Sequence, residues 1–494
     1  MTAQTIVSPS ETAHVDRKWL TLALVVAAQF MVVLDVAIVN VALPSIKTDL
    51  NFSQESLQWV ITAYGILFGG ALLLGGRLSD LFGRRRLFMA GLVLFTVSSA
   101  VDSLAWSSGS LIAARAVQGL GAALLSPAAL SILTTTFREG RERNIALGIW
   151  GAASGSGGAV GVLLGGLLTS TLGWPWIFYV NLPVGALLFA AAPALLRAGR
   201  ADIGHRHLDA RGAATITGGL MLMVYAMTRA SQHGWGSATT IELLTASAAL
   251  LVSFVALELR SPAPLLPMRL FRLRTLAVSN VTQLLVATAM YSQFFLLTLY
   301  MQEVLHYSPL QTGVAYLAFA LTVVVVANFA QALVTRFGIR RVLPVGLTIA
   351  AIGVFDYTQL PVHGHYFWNL FPAMPIAGLG MALSFVPMVI GGLTGIETKD
   401  AGVASGLFTT SQQIGGAIGV AAVTTIATSF TKSYVNVHPG ATALGANALT
   451  HGFQIGFYVL ASMLVLAAIV SATLIERRPE GDAVPADVVL ELAA

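Results

Sequence analysis

The strongest constraint on this chain is a series of apolar runs between Trp19 and Ile475, most of them about 20 residues long, the length a helix needs to cross a hydrocarbon core. No water is available there, so each backbone N–H and C=O must bond within its own segment or a closed barrel. Runs this long and continuously apolar point to helices. They fall at approximately 20–43, 57–76, 87–105, 109–133, 145–170, 175–196, 213–230, 240–258, 276–301, 311–334, 342–359, 367–389, 400–428 and 452–475. A content of 56% hydrophobic and 10% charged residues, with a mean hydropathy of +0.79, lies outside the soluble range. The reading is an all-α polytopic membrane protein with 14 transmembrane helices. Its first run follows Glu11 and Asp16 and reads as an uncleaved helix. Without cysteine, neither a disulfide framework nor a thiolate metal site is available.

The basic residues test this count, because short cytoplasmic loops collect Lys and Arg. With the amino terminus inside, 23 of the 27 fall on the cytoplasmic side. Lys47, Arg229 and Lys432 fall outside, and Arg115 lies within the fourth run. A miscount by one helix would invert every later loop, so the regularity supports an even number of spans with both termini cytoplasmic. In this setting the surplus of basic residues orients loops, and no nucleic-acid partner is implied.

The chain also repeats itself. "LFGRRRL" at 81–87 returns as "RFGIRRV" at 336–342, "QGLGAAL" at 118–124 as "AGLGMAL" at 377–383, and "GSGGAVGV" at 155–162 as "QIGGAIGV" at 413–420. The nearly constant offsets of 255, 259 and 258 place runs 3, 4 and 5 opposite runs 11, 12 and 13. The expected organisation is a tail at 1–18, a six-helix half at 19–200, an inserted helix pair with flanking cytoplasmic loops at 201–275, a second six-helix half at 276–476, and a tail at 477–494. Two halves of the same orientation around a midplane site are the architecture of rocking transporters.

Four strings carry more. "GRLSDLFGRRR" at 76–86 places Gly76, Asp80, Gly83, Arg84 and Arg85 in the loop after run 2. "LIAARAVQGLGAA" at 111–123 contains Arg115, Gln118 and Gly119. Gly148, Gly157, Gly161, Gly165 and Gly166 punctuate run 5, and "LDVAIVNVALP" at 34–44 puts Asp35 inside run 1. Together these resemble the signatures of the major facilitator superfamily, and more closely its fourteen-helix drug/proton antiporter branch, over nearly the whole chain. The sequence departs from the pattern at Leu81, where a basic residue is common, and at Val162, where proline is usual. The resemblance implies a major facilitator fold of 14 helices, export by alternating access and proton coupling. It implies no enzymatic activity and no cofactor beyond the proton as coupling ion.

The residues give the same pieces physical roles. A carboxylate at Asp80 among arginines and helix ends can latch the cytoplasmic side; the plainer alternative is an orientation-setting basic loop. Glycines spaced along run 5 let a neighbouring backbone approach closely, and their expected use is a sliding seam between the halves. Asp35 and Arg115 lie about 5 and 9 Å to the outer side of their spans' midpoints, at similar depths. Intramembrane charges face a partner or an aqueous cavity, which makes both of them proton-coupling candidates. The alternative is a static pair, but buried ion pairs stabilise poorly compared with apolar packing. Asp102, Glu303 and Asp356 read as lying near outer ends, leaving Asp35 the one deeply placed acid.

The expected substrate cavity draws on Gln29, Asn40, Tyr64, Gln118, Gln283, Tyr291, Gln293 and Tyr300, although a single helix cannot point all of its members inward. Amide and aromatic groups in an apolar cavity suit hydrophobic organic molecules. The partners are therefore a hydrophobic small molecule and the lipid bilayer of the cell membrane, with the monomer as the functional unit. "HRHLD" and "HGH" are loop histidines without a ligand set, so no metal site is expected; no catalytic residue emerges and no Walker-type sequence appears. A narrow-range exporter of an endogenous natural product or lipid, and a non-transporting membrane receptor or scaffold, stand as the alternatives.

Overall fold

Because a lipid-facing segment has to satisfy its own backbone, the long apolar runs fold as helices, and every regular element among the described residues is helical. The computed structural model describes residues 9–137, 141–196, 209–261, 264–266, 268–393, 401–438, 440, 442–443 and 445–475. The first half comprises α1 (Pro9–Asp49), α2 (Trp59–Phe82), α3 (Arg84–Ser103), α4 (Ser108–Thr136), α5 (Arg141–Thr171) and α6 (Asn181–Leu195). A pair follows, α7 (Ala210–His233) and α8 (Ala238–Arg260). The second half comprises α9 (Arg274–Leu299), α10 (Leu317–Phe337), α11 (Ile339–Asp356), α12 (Ala373–Leu393), α13 (Ala401–Val437) and α14 (Ala446–Leu474).

Ten helical segments among the described residues are long and apolar enough to cross a membrane. The sequence reading adds others, including α11, whose 18 residues carry Arg340, Arg341 and Asp356. Three charged residues set α11 apart from those ten, although its length and apolar content suit a span.

The halves share one packing plan. Within the first, α1 packs on α5 while α2 and α3 pack on α4; within the second, α9 packs on α13 while α10 and α11 pack on α12. The glycines explain why these contacts recur. A Cβ on Gly91 would lie 2.6 Å from the Leu125 nitrogen, and one on Gly346, its counterpart, 2.7 Å from Ser384 Oγ. Gly83 and Gly338 have φ of 96° and 79° and join α2 to α3 and α10 to α11, a left-handed turn that disfavours any residue with a Cβ. The halves meet along two equivalent seams, α2 against α13 and α5 against α10 with the preceding Pro309–Ala315 segment. Helix α7 lies against both α2 and α13.

The glycines of α5 divide their work. Gly157, Gly161 and Gly165 face α1 in their own half, whereas Gly166 meets the Pro309 carbonyl of the other half, 2.6 Å from a Cβ built there. The seam expected of this helix therefore rests on Gly166, because the other three lie on the face turned to α1. Gly148 lies among residues whose side positions fall outside the description.

A matched pair of substitutions tests this packing. A Cβ at Gly161 would sit 2.8 Å from Ala37 Cβ and 2.9 Å from the Leu34 carbonyl, while at Gly158 none of the described residues lies within 4 Å. Gly161→Ala is expected to lower stability by about 1–3 kcal/mol through overpacking. Gly158→Ala should be neutral or gain up to about 1 kcal/mol from helix propensity. Thermal unfolding in detergent compares the two, and equal midpoints would contradict the assigned contact.

Candidate functional site

The start of α4 is fixed by a capping box: Ser107 Oγ accepts from Ser110 N at 3.1 Å, and Ser107 N donates to Ser110 Oγ at 3.0 Å. Arg115 follows about two turns in, roughly 10 Å along the axis. Gly119 lets α4 press directly against the Tyr64 carbonyl, and this brings Arg115 beside α2. There Arg115 Nε donates to the Val60 carbonyl at 3.1 Å, and its guanidinium lies 4.3 Å from the centre of the Tyr64 ring.

The guanidinium meets Asp35 head on. Arg115 Nη1 donates to Asp35 Oδ2 at 2.6 Å and also to Gln118 Oε1. Asp35 Oδ1 accepts from Gln118 Nε2 at 2.8 Å and from Asn181 Nδ2 at 2.9 Å. Both amides reach Ser99 Oγ as well, at 2.7 and 3.3 Å, and Ser99 donates to the Phe95 carbonyl. Asp35 is 0% and Arg115 1% exposed. Such a site tolerates two opposite charges only when nearly every donor and acceptor is satisfied. Side chains of α1, α3, α4 and α6 and a backbone carbonyl of α2 therefore converge on one carboxylate–guanidinium pair, and protonating the carboxylate or withdrawing the guanidinium would unbalance all five helices.

Sequence reasoning missed Ser99 and Asn181. A polar residue inside an apolar run was the available signal, but many such residues merely bond their own helix, as Asn40 does to the Val36 carbonyl. It placed Asp102 near an outer helix end but did not show that this residue is fully buried, beside this network. Helix α3 does end one residue later, and it packs on α4, α6 and the Trp176–Tyr179 turn.

The other candidates scatter. Tyr64 and Gln118 belong to the network, Gln29 accepts from Ser126 Oγ at 2.8 Å, and Tyr291 donates to Gln413 at 2.8 Å. Gln283 and Gln293 are buried, and Tyr300 donates to the Pro361 carbonyl at 2.6 Å in a π-turn at the end of α9. Among the loop residues, Gly76 faces Pro127, and Arg85 Nη1 donates to the Leu196 carbonyl at 3.4 Å, within its own half. Arg84 opens α3 immediately after Gly83; the side chain of Asp80 lies outside the described residues.

At the face opposite the termini, charged contacts join the halves. Lys47 Nζ lies 2.5 Å from Glu303 Oε1, Lys432 Nζ lies 2.9 Å from Glu55 Oε1, and Gln302 donates to the Val41 carbonyl at 2.8 Å. Burial pushes the Glu55 carboxyl up, but its bond to Lys432, backbone contacts and the charge of Lys432 together hold it below its ordinary value. The stabilisation from this pair is thus present above the ordinary carboxylate range and is lost as pH falls through the lowered value.

A family model described as Major Facilitator Superfamily matches residues 25–420. The chain is 39% identical over 467 residues to the puromycin resistance protein pur8 of Streptomyces alboniger, covering 94% of this chain and 92% of that protein. It is 40% identical over 417 residues to the cephamycin export protein CmcT of Amycolatopsis lactamdurans, covering 83% and 86%. The fold matches the inward-open conformation of the xylose transporter XylE from E. coli with a TM-score of 0.61 at 15% identity, covering 96% of this chain and 99% of that one.

The buried pair makes a stability prediction. Arg115→Met removes one partner and leaves an uncompensated acid, an expected cost of about 3–5 kcal/mol. The double variant Asp35→Leu/Arg115→Met removes both charges and should recover most of that loss in thermal unfolding at neutral pH. A double variant as unstable as the single one would mean that the two groups are not acting as a pair.

Proposed function

Because the chain belongs to the major facilitator superfamily, we propose that it is a proton-coupled antiporter exporting hydrophobic organic compounds, drugs or antibiotics among them, by alternating access. It is a multi-pass membrane transporter and not an enzyme. In this reading it sits in the cell membrane as a monomer with fourteen spans, both termini are cytoplasmic, the inserted α7–α8 pair flanks the two six-helix halves, and the proton is its coupling ion.

The observation that carries the reading is the Asp35–Arg115 contact, buried and held by donors from α4 and α6. An apolar surround favours a protonated carboxyl group and a neighbouring guanidinium favours the ionised one, so a small separation of the pair changes which form is preferred. In the outward-open state a proton from outside neutralises Asp35 and frees Arg115, which aids substrate release. In the return to the inward-open state the pair re-forms and the proton leaves to the cytoplasm. Each proton moving inward supplies about 2.3 kcal/mol per 100 mV of membrane potential. The contacts of Lys47 with Glu303 and Glu55 with Lys432 support closure on the side that the arginine distribution makes external. Asp80 and the arginines near it are the proposed latch for the opposite side.

The substrate path is assigned to the amide and aromatic groups between the halves, with Tyr291, Gln413 and Asn280 on the second-half side. A narrow substrate range is the second reading, favoured by relatives named for one compound each, puromycin and cephamycin. A non-transporting receptor or scaffold has no such support.

Proteoliposomes holding purified protein separate these readings. Puromycin added as probe should move against an opposing flow of protons, and Asp35→Asn should abolish uphill transport while retaining puromycin binding. Unrelated lipophilic dyes transported equally well would favour the broad reading, and puromycin or cephamycin alone the narrow one. Absence of proton movement with every probe would overturn coupling.

A further inference from the structure

The coupling scheme above uses one of two acids buried beside Arg115. Asp102 lies on α3 three residues beyond Ser99, hence on the same face and about 4.5 Å nearer the Leu104–Ser107 loop. It is wholly buried, and neither carboxyl oxygen has a hydrogen-bond partner among the described residues. It also occupies the last turn of its helix, where the axial dipole opposes negative charge. Its electrostatic neighbours are Arg115 and Asp35.

Among the described residues of this buried region, one guanidinium faces two carboxyl groups. Asp35 holds Arg115 directly and accepts two amide hydrogen bonds, the arrangement of a carboxylate. Asp102 has no hydrogen-bond donor among the described residues to stabilise an ionised form, and a second uncompensated charge there would be costly. One proton on Asp102 makes the set neutral.

Building on the proton-coupled reading, we propose that Asp102 is a second proton carrier, relaying protons between the external loop and the Asp35–Arg115 pair. The transfer balances. The O–H bond of Asp102 breaks, an O–H bond forms on Asp35, and Arg115 passes from the Asp35 carboxylate to that of Asp102. No net charge is created at any stage. Arg115 is thus the swivelling counter-ion of two acids, and the external proton enters through the end of α3.

Two measurements test this. In infrared difference spectra at neutral pH, wild type minus Asp102→Asn should contain the C=O stretch of a protonated, unbonded carboxyl group. Absence of that band overturns the proposal without reference to transport. In proteoliposomes, a gradient of about one pH unit should sustain about a tenfold puromycin ratio for each proton exchanged. Asp102→Asn should bring the ratio to one while labelled-for-unlabelled puromycin exchange and thermal stability persist, and Asp102→Glu should restore part of it. A full ratio in Asp102→Asn, with Asp35→Asn uncoupled, overturns the relay and leaves the Asp35 mechanism standing. A wild-type protein that builds no ratio overturns the underlying coupling as well.

Discussion

The contact between the Asp35 carboxylate and the Arg115 guanidinium, 2.6 Å apart and closed off from solvent, sets the terms for the first half of the molecule. An ion pair in such a place is a poor way to hold helices together, since apolar packing of equal volume does so at lower desolvation cost. What it offers is sensitivity. With the carboxylate ionised, Gln118, Asn181 and the Val60 carbonyl all find partners; with it neutral or withdrawn, the guanidinium needs another counter-charge. A transporter driven by protons requires a group whose charge changes helix packing, and five helices meet at this one.

The rest of the fold supplies rigidity around that sensitive point. Glycine contacts at Gly91 and Gly121 weld α3 to α4, and those at Gly161 and Gly165 weld α1 to α5. Contacts between the halves run chiefly along the α2–α13 and α5–α10 seams. Ion pairs across the face opposite the termini hold those seams closed at one end. Tightly packed halves, two equivalent seams and one buried charge pair are the parts that the proposed alternating access would use.

Much of this was legible in the sequence, for reasons tied to particular residues. Asp35 and Arg115 announced themselves because a charge within an apolar run is rare, and equal depth suggested that they could meet. Gly83 and Gly338 were legible as a repeat, and the structure shows why: both take a left-handed turn between helices. Asn181 and Ser99 were not legible, because Asn and Ser within spans often bond only their own helix. The burial of Asp102 was not legible, because hydropathy locates a helix end without showing which face of the last turn is covered. The candidate cavity residues scattered for a related reason, as spacing along one helix does not fix its rotation relative to the partner half.

The central claim is that the buried set of Asp35, Arg115 and Asp102 gives up its one proton when substrate binds, and equilibrium proton release from detergent-solubilised protein measures this without a membrane. Puromycin binding, followed by titration calorimetry in buffers of different ionisation enthalpy, should release protons from the wild-type protein and none from Asp35→Asn, whose single remaining acid can balance Arg115 without one. An Asp35→Asn protein that binds puromycin and releases as many protons as the wild type would place the coupling proton elsewhere and reduce the pair to a structural contact.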